Sequence, residues 1–268
     1  MTLFDESERR IWEGSASAYA GSFAKLCAHP VERLLDVAGV EAGASVLDVG
    51  TGTGTVAEAA CTRGAKVSAV DADPGMIVMA GQAVPAAEVQ VAALPGLPFA
   101  DGEFDAVVGN FVLNHVGRPR QAVAELRRVT RPGGKVAVTI WASPPAPGQA
   151  LIGRAIQAAG VPRPPHLPSL APTDDFPRTV QGLTDLLASA GLAEASCETL
   201  SWSHRTSTEE WWSGPAAGVT TVGQIVAGQT PAVQAEIKRH LVALSAEFTD
   251  HDGYLLLPHV ALLASGRV

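Results

Sequence analysis

The residues best placed to do chemistry lie in two runs, VLDVGTGTG and KVSAVDADPGM. The first closes an apolar stretch with Gly50, Gly52 and Gly54, where the chain must turn sharply and admit a ligand against its backbone. The second ends in Asp71, about twenty residues on, where a carboxylate can accept the two hydroxyls of a ribose. Loop and carboxylate together form a nucleoside-binding pair. Asp48 stands two positions before Gly50. A dinucleotide fingerprint would need a third glycine, for close packing of helix on strand, at the position held by Thr55. That argues against NAD.

Elements that could position these residues are legible around them. From Ala44 to Ala142 the runs SVLDVG, KVSAVD, EVQVA, FDAVVGN and GKVAVTIW alternate with helical stretches at Val56–Arg63, Pro74–Ala83 and Pro119–Val129. Short apolar runs alternating with helices predict a mostly parallel sheet covered on both faces, an α/β Rossmann-like doubly wound fold. RPGG at 131–134 should stop the third helix and turn the chain into the fifth strand. Residues 5 to about 38 read as two helices lying across the carboxyl edge of the sheet, with Trp12, Tyr19 and Phe23 among polar residues. Ser143–Pro177 is Pro-rich and expected to be an irregular loop or lid. Val180–Ala190 reads as a helix and Ala195–Ser203 as a strand. A capping-box-like start at Ser207 opens a helix through Trp211 and Trp212, Pro231–Phe248 forms another, and Tyr254–Ala264 is a last, antiparallel strand. The expected organisation is a single domain. It has a helical cap (1–39), a cofactor-binding core (40–142), a loop or lid (143–178), and a closing helix and strands (179–268) with cap helices inserted at 207–248.

A chain that is 47% hydrophobic and 17% charged can bury a full core. The formal net charge of −8, without a Lys/Arg run, opposes binding to a phosphate backbone and favours a small-molecule partner over nucleic acid. Cys27, Cys61 and Cys197 lack zinc-ligand or disulfide spacing and read as small buried hydrophobes, with no metal expected. Asp250, His251 and Asp252 look like ligands but read better as a turn. No apolar run reaches the ~20 residues of a membrane span, and the start of the chain has no basic-then-apolar leader. The expectation is a cytoplasmic protein, with no membrane partner, that is a monomer or a homodimer. YLLLPHVALLA would be buried in the sheet or at a dimer contact.

Taken together, VLDVGTGTG, VSAVDADPGM, LPFADGEFDAVVGNFVLNHV and RPGGKV resemble the class I S-adenosylmethionine-dependent methyltransferases, particularly the small-molecule branch similar to quinone-biosynthetic C-methyltransferases. The resemblance covers roughly residues 40–142. It implies S-adenosylmethionine as cofactor, with Gly50, Gly52 and Gly54 around the methionine and ribose and Asp48 near the amino group. Asp71 would meet the ribose, Met76 the adenine, and Asn110 the methionine moiety through its backbone, with the neighbouring Ala72 also at the cofactor. Where relatives place Gly-Asp-Ala before the LPF segment, this chain has Ala92, Ala93 and Leu94. Backbone and apolar packing must hold the adenine there.

Methyl transfer from a sulfonium is an in-line displacement that chiefly requires positioning and exclusion of water. A base matters only when the acceptor arrives protonated. Over the carboxyl edge, Tyr19 and His115 are the candidate catalytic residues, each with a packing role as the alternative. Trp12, Phe23, Trp211 and Trp212 could line an acceptor pocket for a flat phenolic, quinonoid or indole-type metabolite, or could simply pack the cap. The other reading of the whole is a protein of this fold that binds S-adenosylmethionine without transferring its methyl, as a cyclase or binding module.

Overall fold

A computed structural model describes residues 2–268. In chain order the elements are α1 (Leu3–Trp12), α2 (Ala16–Ala20), α3 (Ala24–Cys27), α4 (Val31–Ala38), β1 (Ser45–Val49), α5 (Thr55–Thr62), β2 (Lys66–Asp71) and α6 (Pro74–Ala83). Then come β3 (Glu88–Val91), β4 (Phe104–Asn110), a 3₁₀ turn at Val112–His115, α7 (Pro119–Val129) and β5 (Thr130–Trp141). The chain closes with α8 (Leu151–Ala158), α9 (Val180–Ser189), β6 (Ala193–Thr206), α10 (Thr208–Ala216), α11 (Thr220–Ala227), α12 (Pro231–Ser245) and β7 (Leu255–Arg267).

The strands form one seven-stranded sheet in the order β3-β2-β1-β4-β5-β7-β6. Pairings from β3 through β5 are parallel, and β7 runs antiparallel to both neighbours. The order reverses between β1 and β4, the switch point at which open α/β sheets bind ligands beyond the strand ends. One face is sealed by Val123 and Leu126 of α7 with Leu183, Leu186 and Leu187 of α9. The other is sealed by Leu34 and Leu35 of α4 with Val56, Ala57 and Ala60 of α5. A third core, around Phe23, Leu151, Trp212, Ile237 and Leu257, joins the cap helices to the far end of β7. Among the described residues no helix is long and apolar enough to cross a membrane.

Several expectations change. The N-terminal segment is four helices, not two, broken at Gly14–Ser15, at Gly21–Phe23 and before Pro30. The last of them, α4, buries its Leu pair against the sheet face and belongs to the core layer, outside the cap. The Pro-rich stretch contains α8, held by the burial of Leu151, Ile152, Ala155 and Ile156. α11 had no sequence expectation. RPGG is a bulge inside β5, between the pairings Phe104–Thr130 and Ala106–Lys135. The three cysteines are free and half-buried, not fully buried. The DHDG segment is a turn as expected, with Asp252 N and Tyr254 N both donating to Asp250 Oδ1 at 2.9 Å.

Leu126 is fully buried, whereas Val78 on α6 is 59% exposed. Leu126→Ala should lower the unfolding free energy in urea titrations by about 2–5 kcal/mol, and Val78→Ala by no more than roughly 0.5 kcal/mol.

Candidate functional site

The glycine turn is built by sterics and by β2. Gly50 N and Thr51 N both donate to Val70 O, at 2.8 and 3.0 Å. Gly50 sits at φ +73°, and a Cβ there would lie 2.6 Å from Val112 Cγ2. Gly109, at the end of β4, faces the same valine, since its Cβ would lie 2.7 Å from Val112 Cγ1. Val112 is thus wedged between two bare backbones, and it seats the 3₁₀ turn carrying Asn114 and His115 over the carboxyl edge. Asp71 is fixed from two sides: Gly52 N donates to its Oδ2 at 2.9 Å and Asp73 N to its Oδ1 at 3.0 Å.

Asn110 ties three elements. Its Nδ2 donates to Cys27 O at 2.8 Å, and its Oδ1 accepts from Thr139 Oγ1 at 2.6 Å. The following residue, Phe111, holds φ +60° and stacks on Trp141 with ring centroids 4.0 Å apart.

A cavity of about 990 Å³ opens above this edge. That is the upper end of the ~300–1,000 Å³ typical of ligand pockets, room for two small molecules side by side. At one end it is lined by Gly50, Gly52, Asp71, Ala72, Met76, Ala93 and Leu94, with Asn110 near the middle of the edge. Its wall also includes Trp12, Tyr19, Phe23, His115 and Trp211. The structure departs from expectation at three positions. Asp48 is fully buried beneath the turn, accepting from Thr51 Oγ1 at 2.6 Å, and does not line the cavity. Gly54 faces Val84 and Ala80, where its missing Cβ lets α5 approach α6. Trp212 is packed into the cap core, because consecutive helical residues point in different directions and Trp211 takes the cavity side.

Sequence reasoning missed Trp141, His259 and Glu8, all of which line the cavity. Trp141 ends β5 on the ligand edge, a position that could have flagged it. His259 packs 5.6 Å from Trp211 and 5.9 Å from Trp141, centroid to centroid. Its Nδ1 donates to Leu257 O at 2.8 Å. Burial pushes its pKa down to about 4, so the ring is neutral at physiological pH. Glu8 and Trp12 are spaced i, i+4 on α1, which puts them on one face, but no local signal links Glu8 to His115.

Burial raises the Asp48 carboxyl to about 7, Asp71's charge adding to the shift and the Thr51 hydroxyl opposing it. Asp71 is raised too, also by burial. Tyr19, whose ring edge is 3.5 Å from where a Gly52 Cβ would be, is held well above the ordinary phenol range by burial, its Cys27 neighbour and the two carboxylates. It is a neutral hydrogen-bonding wall and not an anionic base. Two carboxylates crowded at the turn favour a cationic ligand at this end. Asp71's remaining lone pairs and the apolar Met76 and Leu94 suit a ribose and a purine. The residues therefore fit S-adenosylmethionine, with its ammonium and sulfonium charges.

The sheet order, the antiparallel β7 and a ligand site at the β1/β4 switch define a Rossmann-like methyltransferase fold. Residues 47–138 match the family described as a methyltransferase domain. Demethylmenaquinone methyltransferase of Renibacterium salmoninarum is 40% identical over 111 residues, covering 41% of this chain and 47% of that protein. An uncharacterised protein of Mycobacterium bovis is 28% identical over 246 residues, covering 87% of this chain and 85% of its own. Haemonchus contortus phosphoethanolamine N-methyltransferase 2 shares the fold with a TM-score of 0.59 at 15% identity, covering 100% of this chain and 60% of that one. The chain spans about half the length of the demethylmenaquinone methyltransferases it matches. Over its core the chain is similar to class I S-adenosylmethionine-dependent methyltransferases, the quinone methyltransferases among them.

A carboxyl whose pKa is higher folded than unfolded costs stability once it ionises. Stability is therefore greatest below the unfolded value of 3.8 and falls as pH rises towards about 7. Asp48→Asn keeps an acceptor for Thr51 without the charge. Its unfolding free energy should exceed the wild type's by an order of a few kcal/mol above pH ~7, and the two should converge near pH ~4, in urea titrations across pH.

Proposed function

We propose that the chain transfers a methyl group from S-adenosylmethionine to a small, flat, apolar or aromatic acceptor. The observation that carries this reading is one continuous cavity with two chemically different regions: a glycine and carboxylate region at β1 and β2, and an aromatic wall of Phe23, Trp141 and Trp211. A module that only bound the cofactor would have no use for the second. The bound group supplies a methyl on a positively charged sulfur, ready for displacement. Gly50 and Gly52 admit it against the backbone, Asp71 holds its ribose, and Met76, Ala72, Ala93 and Leu94 pack the adenine side. Asp48 acts from beneath, fixing Thr51 and lending negative potential. Asn110 orders the middle of the cavity and anchors the cap through Cys27.

The aromatic wall orients a planar acceptor by stacking and edge contacts and keeps water out while the reacting atoms are in line. Trp12 and Phe23 from the cap and Trp211 from α10 take this part, with Trp141 in place of Trp212. Tyr19 lines the cofactor side as a hydrogen-bond donor, and His115 stands as the group able to take a proton. The likeness to demethylmenaquinone methyltransferases supports a phenolic or quinonoid acceptor, with indoles also accommodated by shape.

Incubation with methyl-labelled S-adenosylmethionine and a panel of naphthohydroquinones, phenols and indoles should put label in an organic-extractable product. Binding of S-adenosylhomocysteine with no label transfer to any of them would overturn methyl transfer. Asp71→Asn should weaken S-adenosylhomocysteine binding roughly 10- to 100-fold by calorimetry, the value of hydrogen bonds to a charged group.

A further inference from the structure

We propose that Glu8 is a positioning residue that holds His115 with Nδ1 protonated and Nε2 free to take the proton of an acceptor hydroxyl, so that the acceptor is a phenol, an enol or a hydroquinone. The inference rests on the methyl-transfer reading and names the substrate chemistry of the same site.

Glu8 lies on α1, 8% exposed, and both it and His115 line the cavity. Its Oε2 is 2.8 Å from His115 Nδ1 and also accepts from Trp12 Nε1 at 3.3 Å. A buried carboxylate is tolerated only when donors meet it, and among the described residues these two do. Oε2 already accepts from Trp12 Nε1, so in the 2.8 Å contact it is the acceptor and Nδ1 the donor, which leaves Nε2 as the basic nitrogen. Among the described residues Nε2 makes no hydrogen bond, and about a third of the side chain is open (32%). Trp12 packs edge-on against the ring, with centroids 5.0 Å apart and planes at 87°. Val112 fixes the turn beneath His115. Gly117 N donates to Asp5 Oδ1 at 2.6 Å and clasps the start of α1 to the residues just past it.

The step balances. The acceptor O–H bond breaks towards Nε2, and the oxygen electron pair forms the new bond to the methyl carbon. The electrons of the old carbon–sulfur bond leave with sulfur. The products are a methyl ether, a neutral thioether and an imidazolium, the last stabilised by the Glu8 carboxylate until its proton passes to solvent.

The tautomer can be read directly from ¹⁵N resonances of the His115 ring in the full chain with S-adenosylhomocysteine added, assigned with His115→Gln. In the neutral ring, Nδ1 should appear protonated and Nε2 bare. Glu8→Gln, whose amide oxygen still accepts, should preserve that pattern, and Glu8→Ala should lose it. Adding 2-naphthol should shift the Nε2 resonance, and adding 2-methylnaphthalene, of the same shape without the hydroxyl, should not. The proposal is overturned if the neutral wild-type ring carries its hydrogen on Nε2, if Glu8→Ala leaves the tautomer unchanged, or if the two probes act alike. The wild-type spectrum decides even if Glu8→Ala fails to fold. Calorimetry with S-adenosylhomocysteine on the same sample reports on the cofactor reading separately, so loss of that reading and loss of the Glu8 role are distinguishable.

Discussion

One steric fit underlies the site: the two methyl groups of Val112 occupy the space where Gly50 and Gly109 would carry side chains. Close-packed interiors transmit such fits, because a displaced methyl has nowhere else to go. The wedge sets the height of the 3₁₀ turn above the sheet, so the glycine turn and His115 cannot be placed independently. Phe111, just before Val112, occupies a left-handed conformation that a bulky residue adopts only when its surroundings insist. Thr139 provides that insistence, accepting from Phe111 N at both its hydroxyl (2.9 Å) and its carbonyl (3.1 Å), while Trp141 covers the ring. The same short segment thereby joins the cofactor region to the aromatic wall.

The cap is held over this edge by polar contacts as well as apolar packing. Asn110 to Cys27, Gly117 to Asp5 and His115 to Glu8 each pair a residue at or beyond the end of β4 with one from the first 27 of the chain. The apolar cluster of Ile11, Phe23 and Leu26 with α8 and α10–α12 supplies area behind them. Directional bonds fix where α1 to α3 sit, and the non-directional cluster keeps them there. The cap segments therefore belong to the site as much as the sheet does.

This division explains what could be read from sequence. Parallel strands buried on both faces are written as apolar runs, so KVSAVD and FDAVVGN mark β2 and β4 to the residue, and the Pro-initiated helices α6 and α7 start where the proline says. The glycine turn and Asp71 were legible because their chemistry is local. The pairing of Glu8 with His115 spans more than a hundred residues and leaves no local trace. α8 hid in a Pro-rich stretch because its stability comes from burying one face against α12, which composition does not reveal. For Trp211 and Trp212 the residue type was informative but not the direction, which depends on how α10 docks. Asp48 was legible as a motif residue, yet its position beneath the turn is a property of the strand's facing.

The electrostatic contrast along the cavity has a physical logic. Burial raises both carboxyls, and the charge of Asp71 adds to the shift of Asp48 as that of Asp73 does to Asp71. A fold that keeps two carboxylates there gives up stability in return for a fixed negative potential that needs no rearrangement when a cation arrives. In the cluster around Trp141 the opposite holds. His204 and His259 are both pushed down to about 4, chiefly by burial, so they pack as neutral rings among Trp202 and Trp211. A charged acceptor would find little compensation in such surroundings, whereas a neutral planar one loses no hydration it cannot recover through contact. The contrast follows from the chemistry itself, since a displacement at a sulfonium moves positive charge off sulfur towards the acceptor and its base and is fastest where water is kept from the reacting atoms.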